Sequence, residues 1–233
     1  MVKIEDYFEI GDYTIKDGLI STDGNVDLIN LVKKLPVQFG HVGGYFDCYN
    51  NQLTSLEGAP QSVGGYFDCR DNKLSSLEGT PQSVGGYFDC RDNKLTSLEG
   101  SPHSVGGHFN CANNKLSSLE GAPQTVSGTF SCSNNKLTSL KGAPKSVGGN
   151  FYCSNNQLSS LEGAPQSVVG IFYLSFSESL PLLRLVRYQN VQTYNDQVNK
   201  IINKYSNHKP SKEAILLCQK ELIDKGFIGN AAW

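Results

Sequence analysis

A chain of 233 residues with 20 Lys and Arg against 22 Asp and Glu carries a formal net charge of -2, and has no clustered basic surface of the kind phosphate contacts need. Nucleic acid is therefore not an expected partner. Lys3, Glu5 and Asp6 interrupt the start where a signal peptide needs an apolar run, and no later stretch approaches the ~18 consecutive apolar residues of a membrane span. These features predict a soluble, cytoplasmic protein without a membrane segment.

Residues 1–41 read as an N-terminal cap with one imperfect strand. Gly24-Asn25-Val26-Asp27-Leu28 has the in-out rhythm of Gly44-Tyr45-Phe46-Asp47-Cys48, offset by 20 residues, and Leu35-Pro36 echoes a leucine and proline that return later.

Residues 42–176 repeat one unit, V-G-G-x-F-x-C-x-x-N-x-L-x-S-L-x-G-x-P, beginning at Val42, Val63, Val84, Val105, Val126 and Val147 and, degenerately, at Val168. Six of the seven cysteines, Cys48, Cys69, Cys90, Cys111, Cys132 and Cys153, recur every 21 residues. Such regularity belongs to a core column, because disulfide scaffolds and zinc sites use irregular pairs or Cys-x-x-Cys spacing. Within F-x-C the period of two marks a short strand with Phe and Cys inward. Asn51, Asn72, Asn93, Asn114, Asn135 and Asn156 stand where the chain must turn inside a dry coil, and their amides can satisfy backbone groups there. Leu53, Leu56 and their counterparts fill the interior, and Gly-x-Pro punctuates the return path. One coil cannot bury its own apolar face, so stability must come from stacking on neighbours.

After Val168 the pattern breaks, with Leu174 at the cysteine position. Residues 177–233 are predicted to form a C-terminal α-helical cap domain. Ser179–Tyr188 suggests a helix with Pro181 in its first turn; Val198, Ile201, Ile202 and Tyr205 follow helical spacing; Ser211 is a candidate N-cap for a helix through Leu217, Cys218 and Leu222 that ends at Gly226.

Comparing coils with one another picks out positions freed from the core. The residue before Phe runs Tyr45, Tyr66, Tyr87, His108, Thr129, Asn150; between Phe and Cys it runs Asp47, Asp68, Asp89, Asn110, Ser131, Tyr152; after Cys it runs Tyr49, Arg70, Arg91, Ala112, Ser133, Ser154. These are outward strand positions that should form three columns on a concave face. Early coils thus present Tyr, Asp and Arg, and later coils mostly Ser, Thr and Asn. Tyr and Arg dominate protein-binding hot spots, so Tyr45, Asp47, Tyr49, Tyr66, Asp68, Arg70, Tyr87, Asp89, Arg91 and His108 are the candidate partner-binding residues. The competing reading is structural: tyrosines packing along the ladder, and Asp68 paired with Arg70.

The aspartate column could hold a metal or act as paired carboxylates, but Arg70 and Arg91 offer neutralisation without one. The Lys73, Lys94, Lys115 and Lys136 column, like the Glu57, Glu78, Glu99 and Glu120 column, reads as solvated loop charge. The four histidines, His41, His103, His108 and His208, join no recognisable triad. No catalytic residue, metal site or cofactor is expected.

Phe67, Cys69, Asn72 and Leu74, iterated in five further coils, meet the leucine-rich-repeat pattern L-x-L-x-x-N-x-L. The run "GGYFDCRDNKLSSLEGTPQSV" and the ending Gly226 to Trp233 resemble leucine-rich-repeat proteins of large tailed bacteriophages and some bacteria. The resemblance covers about residues 24–176 and implies an α/β repeat solenoid of 21-residue β-coils with little helix on the convex side, closed by a cap at each end. It also implies a non-enzymatic protein-binding scaffold in an infected bacterial cytoplasm, by analogy one that blocks a host defence protein. A virion structural or adhesion component and a small-molecule sponge are the alternatives.

Overall fold

The computed structural model describes residues 3–207 and 209–231; Met1, Val2, His208, Ala232 and Trp233 lie outside the described residues. The chain winds into a β-solenoid of about eight turns followed by two α-helices. Each repeat contributes two very short parallel strands. The Phe strands, such as Phe67–Asp68 and Phe88–Asp89, pair Phe on Phe at each 21-residue step, as in Phe46↔Phe67 and Phe88↔Phe109. A second ladder, not foreseen from sequence, runs through Ser-Val pairs such as Ser62–Val63 and Ser83–Val84.

Identical side chains therefore stack on one another. Phe46, Phe67, Phe88, Phe109, Phe130, Phe151 and Phe172 are fully buried, with successive ring centroids 4.9–5.7 Å apart. The six repeat cysteines lie beside them, each thiol directed at a carbonyl of the next coil, as Cys69 Sγ to Asp89 O at 3.4 Å. Burial pushes these thiols well above their ordinary pKa, and Cys218 is also free, buried and pushed up. Thiolate is the reactive form. All seven cysteines are expected to react with an aromatic disulfide reagent on the order of a hundredfold more slowly in the native protein than in denaturant. Rapid labelling of even one repeat cysteine in the folded state would contradict the packing described.

The asparagine ladder works across coils. Asn72 Nδ2 donates to the carbonyls of Cys48 (2.9 Å), Cys69 (3.1 Å) and Arg70 (3.1 Å), while its Oδ1 accepts from Leu53 N–H at 2.9 Å. Asn93 and Asn135 repeat the pattern. The bend itself falls one residue earlier: Asn50, Asp71, Asp92, Asn113, Asn134 and Asn155 have φ between +52° and +56°, a region that Asn and Asp tolerate better than most side chains. At the other corner the close stacking of coils demands glycine, since a Cβ on Gly85 would overlap the carbonyl of Gly64.

Residues 3–42 hold more strands than the single one read from sequence. Val26–Leu28 pairs in parallel with the first Phe strand through Val26↔Phe46 and Asp27↔Asp47, and Phe8–Ile10 runs antiparallel to it. Thr14–Lys16, Leu19–Thr22 and Gln38–Val42 extend the Ser-Val ladder.

Beyond Leu174, Val191–Gln192 adds one more parallel strand against Phe172–Tyr173. Helix α1, Asp196–Tyr205, is capped by Asn195 and buries Val198, Ile201 and Ile202. Its Asn203 side chain accepts from Val191 N–H and donates to Val191 O, both at 2.8 Å, so side-chain amides occupy backbone groups that a further strand would otherwise bind. Helix α2, Lys212–Asp224, starts at Ser211, whose hydroxyl accepts from Ala214 N–H. Cys218 and Leu222 face inward, but Leu217 is exposed. The helix expected over Ser179–Tyr188 is a single 3₁₀ segment, Leu183–Arg187, because Leu182 and Leu185 are drawn separately into the core and Leu182 N–H pairs with Asn230 O. Among the described residues no helix is long and apolar enough to cross a membrane.

Candidate functional site

The register that stacks the phenylalanines also stacks what lies outside them. Tyr45, Tyr66 and Tyr87 form a column of parallel rings, with centroids 4.5 Å apart and planes within 7° in each pair. Ring stacking of this kind is the direct outcome of a strand spacing near 4.8 Å. All three rings are half-buried, and Tyr45 OH donates to Asp27 Oδ2 at 2.9 Å.

The aspartates between Phe and Cys do not stand free, as the sequence suggested. Asp68 is 1% exposed and Asp89 7%; Asp47 is half-buried. Each closes a small turn, Oδ1 accepting from the backbone N–H two residues on: Tyr49 at 3.0 Å, Arg70 at 3.1 Å and Arg91 at 3.1 Å. The other carboxylate oxygens of Asp68 and Asp89 meet Arg70 Nε at 3.3 Å and Arg91 Nε at 3.5 Å. Both structural pairings weighed from sequence are therefore present. Arg70 also lies over the Tyr49 ring, 4.8 Å from its centroid.

Burial, reinforced by Asp89 and Asp47, raises the Asp68 carboxyl to about 7 despite Arg70. Asp89 is raised chiefly by burial, and Asp47 by burial and then by Asp27. Among the described residues no group of three or more His, Cys, Asp or Glu side chains is arranged to hold a metal ion.

Two hollows flank the tyrosine column. Tyr45, Asp47 and Tyr49 border one of about 410 Å³ together with Glu9 and Asp27, an acidic rim without lysine or arginine. Arg70, Tyr87, Asp89, Arg91 and His108 border the other, of about 470 Å³. Asn110, Thr129, Ser131 and Tyr152, with Phe88 and Phe109, complete that second hollow, and none of these six was among the candidate partner-binding residues from sequence. Tyr152 was visible as the one large residue in a run of Asn and Ser, but its coil was read as bland. Tyr66 and Asp68 lie between the hollows. A larger hollow of about 800 Å³ follows the Gly-Pro turns, lined by Glu57, Glu78 and turn backbone, and gathers no comparable chemistry.

Comparisons with protein-family models, curated proteins and solved structures each returned no match.

Proposed function

We propose that the chain is a non-enzymatic recognition scaffold of leucine-rich-repeat type, which docks a protein through the face bearing Tyr45, Tyr66, Tyr87, Arg70 and Arg91. One observation carries this reading. Later coils keep the same backbone register with Thr129, Asn150, Ser131 and Ser133 at these positions, so the fold does not require the aromatic and guanidinium groups. Three stacked rings supply a broad, rigid, amphipathic plate at low entropic cost, and the bordering arginines supply directed hydrogen bonds. On the resemblance to phage-encoded repeat proteins, the partner is a protein of a bacterial host, and occlusion of its surface is the effect.

Replacing Tyr66 and Tyr87 by threonine, which already stands in the same column at Thr129, keeps the strand and removes the plate. The Tyr66→Thr/Tyr87→Thr variant is expected to remain folded and to lose about tenfold or more of its affinity for the captured partner. Affinity capture followed by titration measures this, and full retention by the folded variant would end the assignment.

A further inference from the structure

We infer that the hollow beside Tyr87 receives a carboxylate carried on an extended protein segment, and that the same segment sets a basic side chain against the acidic hollow beside Tyr45. The inference rests on the recognition reading above and adds the chemistry of what is recognised.

The hollow beside Tyr87 is rich in unused donors. Arg70 and Arg91 spend Nε on their aspartates, with Asp92 Oδ2 a further 3.8 Å from Arg91 Nε, and their terminal amino groups make no hydrogen bond among the described residues. His108 Nδ1 accepts from Thr129 N–H at 2.7 Å, which leaves the ring proton on Nε2. Tyr152 OH accepts from Asn150 Nδ2 at 2.8 Å, so its own proton is also unspent. Asp89, the one carboxylate in the lining, is already engaged by Arg91 and by Asn110 Nδ2 at 3.4 Å. A site with guanidinium forks and few free acceptors selects an anionic, planar acceptor such as a carboxylate.

At the other end Glu9, Asp27 and Asp47 border a lining that holds no lysine or arginine, and the one guanidinium close by, Arg70 over the Tyr49 ring, is outside it and already paired with Asp68. That polarity disfavours a polyanion: a nucleic-acid strand stacked on the tyrosines would bring its phosphates onto three carboxylates. A polypeptide carrying both signs fits. From Asp47 to Asn110 the face crosses three strand spacings, about 14 Å, which an extended chain covers in about four residues. The recognised segment thus carries an acidic and a basic residue about four positions apart, with the acidic one toward Tyr152.

Selection of a displayed random dodecapeptide library on the full-length protein tests this. The expected pool is enriched in peptides with Asp or Glu three to five residues from Lys or Arg, and the consensus peptide weakens with added salt. Changing its acidic residue to the amide is expected to cost about tenfold in affinity, as is Arg91→Ser, with the two losses not additive. Asp47→Ser is expected to remove the preference for the basic residue. Serine already stands in both columns, at Ser131 and Ser133. An empty selection, a pool without the charge pair, indifference to the peptide's own acid-to-amide change, or preferential binding of oligothymidine would each overturn the inference. Peptides that lack the charge pair but are released by Tyr66→Thr/Tyr87→Thr would overturn it alone and leave the recognition face standing.

Discussion

Unfolding free energy is expected to fall by on the order of 3 kcal/mol as pH rises from about 4 to about 8, the reverse of ordinary acid denaturation, with Asp68 the main cause. Its carboxyl sits near 7 in the folded protein, raised first by burial and then by Asp89 and Asp47, whereas an unfolded chain leaves it near the ordinary carboxylate value of about 3.9. Between those values the native state holds the extra proton, so the contribution is complete below the unfolded pKa and is lost as pH climbs through 7. Asp47 and Asp89 are displaced in the same direction. Glu221, held below the usual range first by hydrogen bonds with Lys204 and Tyr205, works the other way, its contribution being present above its ordinary value and lost only in acid.

Asp68→Asn is the decisive variant, because the array already contains its outcome. Asn110 occupies the same column and closes the same turn, its Oδ1 accepting from Ala112 N–H at 3.1 Å. The variant is expected to flatten most of the slope and to exceed the parent in stability at pH 8. Urea titrations across that range measure both. A parent curve that stays level or rises from pH 5 to 8 would show that Arg70 outweighs burial after all.

Phe109→Ala is expected to cost about 3–5 kcal/mol, the largest loss of any single truncation in the middle of the array. Phe109 is fully buried between Phe88, 5.2 Å away, and Phe130, 5.4 Å away, and both neighbours are held by inter-coil hydrogen bonds that limit collapse into the gap. Coils contact only their neighbours, so weakening one interface can also split a single unfolding transition into two. Chemical denaturation monitored by circular dichroism gives the loss, and hydrogen exchange shows whether coils on the two sides open separately. A midpoint equal to that of the parent would mean that the phenylalanine column contributes far less than its burial indicates.

The solenoid was legible because its signal is iterated: a Phe and a Cys two apart, an Asn three further on, the same spacing again and again. The asparagine role followed from the need to satisfy buried carbonyls, and the helix at Ser211 from its capping hydroxyl and the spacing of Cys218 and Leu222. Burial along the outer columns was not legible. Asp68 and Asp89 alternate with core residues and so read as exposed, but the arginine two residues on folds back over each of them, and the stacked tyrosines add cover. That depends on side-chain reach, which strand periodicity does not encode. The Ser-Val ladder was hidden because two residues are too few to show any period. Tyr152 was overlooked because it stands three coil steps from Asp89 and reaches the second hollow only across the coils of Asn110 and Ser131.

Register also bears on how such a chain can change length. Because Ser83 precedes Val84 as Ser104 precedes Val105, excising 84–104 rejoins Ser83 to Val105 and leaves every rung of both ladders matched. Near-identical neighbouring segments are natural substrates for unequal crossing-over, so the array can lengthen or shorten in whole units of about 4.8 Å without relearning how to fold. On the recognition proposed above, the distance between the two flanking hollows would then act as a ruler, adjustable by duplication alone, against which a changing target could be tracked.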